Sequence, residues 1–164
     1  MTGEGVFLEP LGLYLVLERQ YGRIRRTRFS RYPPGRPLPQ DLSDRIRKLL
    51  KNPAREEEEE EYGLPEDILD LSTLTEFQRE VLDVVASIPW GETMTYGQVA
   101  ERLGRHGAAR AVGRALAANH FPLIIPCHRV VAVNGIGGYG PGTNLKKTLL
   151  DLEANQGDDA LSGV

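Results

Sequence analysis

TYGQVAERLGRHGAARAVGRALAA, residues 95–118, spells two short helices separated by a turn with glycine at both ends. Thr95 followed three positions later by Gln98 is a capping box, in which the hydroxyl accepts the third helical amide and the glutamine reaches back to the cap amide. It opens a helix over 96–103. Gly104 and Gly107 bound the turn, and 108–118 supplies the second helix. Two short helices joined in this way make a helix-turn-helix, a shape that also occurs in proteins that bind no nucleic acid.

Toward the N-terminus, residues 74–87 repeat apolar side chains at helical spacing, with Phe77, Val81, Leu82, Val84 and Val85 inward. Before them stands a run of glutamates over 56–61. Charge at that density resists burial, so 53–70 reads as an acidic linker. Residues 6–10, 13–18 and 23–31 read as strands, the last two joined by a hairpin-like turn at Gln20-Tyr21-Gly22. Residues 38–51 carry an apolar stripe of Leu42, Ile46, Leu49 and Leu50. The expectation is an α/β chain: a small N-terminal domain over 1–52 with an antiparallel sheet and a helix, the linker, a mostly helical domain over 71–154, and a tail over 155–164. Arg23, Arg25, Arg26, Arg28 and Arg31 form either a solvated strand face or a contact for protein or DNA.

Toward the C-terminus, 129–133 reads as a strand, 135–142 as a glycine-dense loop, and 144–154 as a helix capped by Thr143. At the start of that strand, Ile125-Pro126-Cys127-His128-Arg129 puts the only cysteine beside one of three histidines. A lone cysteine after an apolar run is commonly a small buried hydrophobe. Beside a base it is instead a candidate nucleophile, because the thiolate is the reactive form. Neighbours in extended chain point to opposite sides, which disfavours a direct Cys127–His128 ion pair and favours a relay through water. An acid should orient the imidazole. Leu145, Leu149 and Glu153 recur at i, i+4 and i+8 on the last helix, where a carboxylate is costly unless paired or able to reach water. Gly135 to Gly140 also spells a GxGxxG pattern. The polar residues after Glu153 offer no second strand for a dinucleotide-binding unit, which leaves a glycine-rich pocket wall.

The chain has 164 residues, 40% of them hydrophobic, enough for one domain or two small ones. No apolar run approaches the roughly 20 residues of a membrane span, and residues 1–10 lack a secretory pattern. One cysteine forms no internal disulfide, which fits a reducing, cytoplasmic setting, at the nucleoid or in a nucleus. His106, His120 and His128 lack metal-ligand spacing, so no metal is expected. The formal net charge is −3, but residues 96–150 hold Arg102, Arg105, Arg110, Arg114, Arg129, Lys146 and Lys147 against Glu101 alone, a local +6. Local sign is what steers a polyanion, the plain alternative being a solvated surface.

Ile125 through Val131 resembles the active-site signature of the O6-alkylguanine-DNA alkyltransferases, the methylated-DNA–protein-cysteine methyltransferases. The resemblance runs over 71–153 and includes Phe77-Gln78, Ile88-Pro89-Trp90-Gly91-Glu92-Thr93, Tyr96, Ala109-Arg110-Ala111-Val112-Gly113 and Asn119 in the family's order and spacing. Residues 1–70 carry little of it. It implies a ribonuclease H-like first domain, a winged helix-turn-helix in the second, and a monomer that works without a cofactor. The implied activity is a single, irreversible transfer of an alkyl group from the O6 oxygen of guanine in double-stranded DNA to Cys127, with the base flipped out of the duplex.

The resemblance also implies roles. Cys127, a water, His128 and Glu153 form the relay, and Asn119 ties the helix-turn-helix to the active-site turn. Tyr96, Arg129, Val130, Tyr139 and Gly140 contact the guanine or its alkyl group. Arg110 fills the space that the base vacates, while Ala109, Ala111, Gly113 and Arg114 lie along the minor groove. The chain departs from the family's common pattern at Gly140 (often serine), Pro141 (often glycine) and His120 (often proline), and it lacks the cysteines with which some relatives hold a structural zinc. The alternative is a non-catalytic, alkyltransferase-like protein that only binds lesions. A cysteine hydrolase would need an oxyanion hole that the sequence does not display.

Overall fold

A computed structural model describes residues 3–53 and 66–158; most of the expected acidic linker over 53–70, with its glutamate run, lies outside the described residues. Strands β1 (Glu4–Leu8), β2 (Leu13–Gln20) and β3 (Arg23–Ser30) form an antiparallel meander. A 3-10 turn, Glu9–Leu11, links β1 to β2 and closes on Gly12 at φ 63, a conformation that suits glycine. The two-residue β4 (Arg36–Pro37) then pairs parallel to β1, giving the order β3-β2-β1-β4. The sheet is therefore mixed rather than antiparallel. Two residues that include a proline carry no alternation to read, and a proline is tolerated at a sheet edge because no ladder amide is needed there.

Leu8, Leu15, Leu17 and Ile24 are buried in one apolar cluster with Leu42 and Ile46 of helix α1 (Gln40–Lys48), which packs on β1. This helix is shorter than 38–51 because Leu38 gives its amide to Gly5 of the sheet at 3.1 Å and Pro39 then sets the turn into the helix.

In the second half, helix α2 (Glu76–Ala86) opens on a capping box between Thr75 and Gln78. Strand β5 (Met94–Thr95) leads into α3 (Tyr96–Arg102), opened by the expected box between Thr95 and Gln98. Gly104 at φ 69 and Gly107 at φ 80 shape the turn into α4 (Ala109–Ala117). Val81, Val85, Val99, Ala100, Val112 and Ala115 bury the contact among these three helices. The strand expected over 129–133 is instead a 3-10 turn, Cys127–Arg129, followed by β6 (Val130–Val131), parallel to β5. The chain curls there because the Cys127 amide donates to Ile125 O at 2.7 Å and the Arg129 amide to Pro126 O at 3.0 Å.

Helix α5 (Thr143–Asp158) takes Thr143 into its first turn and runs four residues into the expected tail. Gln156 accounts for the extension: its amide donates to Leu50 O at 3.2 Å, and its oxygen accepts the Asn52 amide at 3.1 Å. The two halves share one apolar cluster. Strand β3 joins them, since Asp70 N donates to Ile24 O and Thr27 N to His120 O, both at 2.8 Å. Leu69, within the stretch read as linker, is buried there. Among the described residues, no helix is long and apolar enough to cross a membrane.

Candidate active site

The site forms where the 3-10 turn at Cys127 meets α4, the glycine-rich loop before α5, and one face of α5. Three residues of α5 turn inward at i, i+3 and i+7: Lys146 (0% exposed), Leu149 and Glu153 (4%). Burying two charges on one helical stripe requires partners for both. Glu153 finds three. His128 Nε2 lies 2.7 Å from its Oε1, the Arg129 guanidinium donates through Nε and a terminal nitrogen at 2.8–3.1 Å, and the Gly91 amide donates at 3.3 Å. Arg129 also donates to Ile88 O at 2.8 Å and lies 5.7 Å from the Trp90 ring centroid. The Ile88-to-Gly91 segment is thus a bracket around the carboxylate.

These contacts set the protonation states. Burial pulls His128 below its ordinary value; Glu153 pushes back, while the charges of Arg129 and Lys146 add to the depression, so the imidazole rests neutral. Burial alone would raise Glu153, but the hydrogen bonds and charges of His128 and Arg129 outweigh it and hold the carboxyl below its usual range. The Nδ1 atom of His128 is buried with no hydrogen-bond partner among the described residues. Burial raises the Cys127 thiol above its ordinary value, opposed by the Asn119 amide and by the charge of Lys146. The resting group is a thiol beside a neutral base.

Asn119, just past α4, braces the turn by donating to Ile125 O at 3.3 Å and accepting the Phe121 amide at 2.9 Å. Sequence reasoning counted Lys146 only as surface charge. In the fold its ammonium donates to Val130 O at 2.6 Å and Gly138 O at 2.9 Å and lies 6.0 Å from the Tyr96 ring centroid, fixing β6 to the glycine loop. Its inward stripe with Leu149 and Glu153 was the signal available.

A pocket of about 200 Å³ opens beside Cys127, walled by Tyr96, Gly113, Leu116, Ala117, Gly138, Tyr139 and Gly140. Drug-sized sites run to about 300–1,000 Å³, so this one suits a smaller group. Burial raises the Tyr96 hydroxyl, against a hydrogen bond with the Gly138 backbone, and raises Tyr139 well above the ordinary phenol. The Tyr139 ring meets His128 edge-on at 6.4 Å. Gly137, at φ 74, leaves no room for a side chain, since a Cβ there would come within 2.8 Å of the Tyr96 hydroxyl.

Tyr96, Tyr139 and Gly140 therefore line one pocket with Cys127, and Leu116 and Ala117 join them without having been singled out. Arg129 is turned to Glu153, and Val130 is a buried strand residue whose carbonyl holds Lys146. On α4, Arg110 and Arg114 are exposed one turn apart, with Ala109, Ala111 and Gly113 partly buried. Two of the seven positive charges counted over 96–150 are thus committed inside the site, and Arg105 pairs with Glu80 at 3.2 Å. Among the described residues, no cluster of three or more His, Cys, Asp or Glu could hold a metal.

Fold and site together define a helix-turn-helix module that carries a cysteine, a histidine and a carboxylate around a small pocket beside its second helix. Residues 76–155 match the family model described as 6-O-methylguanine DNA methyltransferase, DNA binding domain. The methylated-DNA–protein-cysteine methyltransferase of Methanothermobacter thermautotrophicus is 54% identical over 87 residues, which is 52% of this chain and 48% of that protein. The Mycobacterium leprae protein of the same name is 52% identical over 83 residues, half of each chain. The alignments thus span about half the length of these curated relatives. The crystal structure of Mycobacterium tuberculosis OGT in complex with DNA superposes with a TM-score of 0.71 at 32% identity, covering 95% of this chain and 94% of that one. The Mycobacterium tuberculosis O6-methylguanine methyltransferase gives 0.70 at 33% identity, over 94% and 93%. The chain belongs to the methylated-DNA–protein-cysteine methyltransferase family.

Proposed function

We propose that this protein repairs double-stranded DNA by moving an alkyl group from the O6 oxygen of guanine to its own Cys127, once per molecule. The observation that carries the reading is a small pocket lined by Cys127, whose chain neighbour His128 is buried and held 2.7 Å from Glu153. In the transfer, the Cys127 sulfur forms a bond to the alkyl carbon as the carbon–O6 bond breaks, with the electron pair leaving on oxygen. The thiol proton passes through a bridging water to His128 Nδ1, Glu153 stabilises the imidazolium, and the freed guanine regains a proton, so the balance is thiol plus alkylguanine to thioether plus guanine. The Tyr96 hydroxyl at the pocket edge hydrogen-bonds the leaving ring. The product thioether is stable, which makes the protein single-use.

On this reading, α3, α4 and the β5–β6 region form a winged helix-turn-helix whose Arg110 enters the duplex through the minor groove while the lesion is flipped into the pocket. Small residues along α4 let its backbone approach DNA, and no base-specific readout is required of a protein that repairs lesions in any sequence. The first domain is ribonuclease H-like, and the protein acts as a monomer, without a cofactor, where the DNA is. An O6-benzylguanine probe followed by intact-mass measurement tests it. One added benzyl group, absent from Cys127→Ala, is the expected result. Lesion binding with no mass change would support the non-catalytic alternative instead, and continued turnover a hydrolase.

A further inference from the structure

We infer that Thr27, on the N-terminal sheet, is a positioning residue for Cys127, acting through the loop that joins α4 to the cysteine; the inference rests on the alkyl-transfer reading above. Thr27 is 3% exposed and uses both of its hydrogen-bond donors on that loop: its amide donates to His120 O at 2.8 Å and its hydroxyl to Pro122 O at 3.2 Å. The carbonyl of Pro122 belongs to the peptide unit that enters Leu123, and Leu123 is held at φ 73 while buried. A branched side chain in the left-handed region persists only where its surroundings impose that conformation.

Three restraints impose it. The Thr27 hydroxyl fixes the peptide unit before Leu123. The Ile125 amide closes on Phe121 O at 2.9 Å, and Asn119 spans the Phe121 amide and Ile125 O. Ile125 O also accepts the Cys127 amide, so the series ends on the nucleophile's own backbone. Packing does less on the far side, where Leu123 to Pro126 line a cavity of about 290 Å³ whose wall also holds Arg79, Asp83 and Arg129. The edge strand of the first domain thereby holds the cysteine loop in a shape it would not keep alone.

The test compares Thr27→Val, which keeps the shape without the hydroxyl, with Thr27→Ser, which keeps the hydroxyl; Thr27→Ala replaces the valine variant if that does not fold. Benzyl transfer from free O6-benzylguanine is measured in single turnover over a range of probe concentrations, below the unfolding midpoints of all variants, with amide exchange of 119–127 on the same samples. The expected result is a maximal rate constant about three- to tenfold lower for valine, with unchanged half-saturation, faster exchange at Ile125 and Cys127, and recovery in the serine variant. Equal maximal rates for valine and wild type would overturn the inference, as would equal losses for valine and serine. A wild-type protein that takes up no benzyl group would instead sink the alkyl-transfer reading itself, and unchanged exchange in the valine variant would then dispose of the loop restraint separately.

Discussion

Replacing Glu153 with glutamine keeps its outline and removes its charge. The native carboxylate is 4% exposed and accepts hydrogen bonds from His128, Arg129 and the Gly91 amide, so glutamine must turn one donor toward another donor. Breaking a buried pair from one side costs about 3–5 kcal/mol. The lower end applies, because the Arg129 side chain keeps 12% exposure and its bond to Ile88 O. At roughly 2–4 °C per kcal/mol for a chain of this size, a loss of about 3 kcal/mol lowers the midpoint by about 6–12 °C, within a total stability of about 5–15 kcal/mol. Chemistry suffers as well. Glu153 is the group that raises His128 against burial, and without it the imidazole is a weaker base facing a thiol already raised by burial. Transfer to Cys127 slows, and its rising limb moves to higher pH. Calorimetry and single-turnover benzyl transfer from mild acid to alkaline pH measure both effects on one preparation. A superposable rate profile with an unchanged midpoint would refute the reasoning.

Three further outcomes are expected. Arg110→Ala, at an exposed position on α4, weakens repair of a duplex far more than reaction with the free base, because only the duplex requires flipping; equal losses would mean that Arg110 supports the fold or the pocket instead. Acid destabilises the protein in two windows: the unfolded chain binds a proton at His128 below the ordinary 6.5 while the folded protein resists it, and stability from Glu153 is lost as pH falls below 4.5 through the depressed folded value. Urea unfolding that gives the same free energy at neutral and mildly acid pH would contradict the first window. Alkylated protein melts below the free protein, benzyl lower than methyl, since adding atoms to a tight site costs about 1–3 kcal/mol, or about 2–12 °C; scanning calorimetry giving matched midpoints would mean a yielding pocket.

Local hydrogen bonding made parts of this fold legible in the sequence. The box between Thr95 and Gln98 involves residues three apart, so their identities suffice, and α3 began where it was expected. Glu153 was a candidate because a carboxylate on an apolar stripe is costly unless paired or able to reach water, and the family resemblance implied its role. Other features depend on distant backbone groups that leave no trace in residue identity. Lys146 reads as surface charge until Val130 O and Gly138 O are brought beneath it. Arg129 was expected to contact substrate, and only the fold reveals that Glu153 and Ile88 O hold it. Strand β4 has too few residues for a period, and α5 runs four residues into the expected tail because Gln156 meets Leu50 and Asn52 more than a hundred residues away. The direction of the Cys127 shift follows from burial, which a lone cysteine in a sequence does not declare.

Trp90 is the only tryptophan in the chain, and its ring lies against the guanidinium that grips Glu153. The molecule therefore carries one indole, with only Arg129 between it and the Glu153 carboxylate. Indole emission shifts with nearby charge, and no second tryptophan dilutes the signal. Reaction at Cys127, or loosening of the groups around Glu153, can be followed by the colour of that one ring in unlabelled protein.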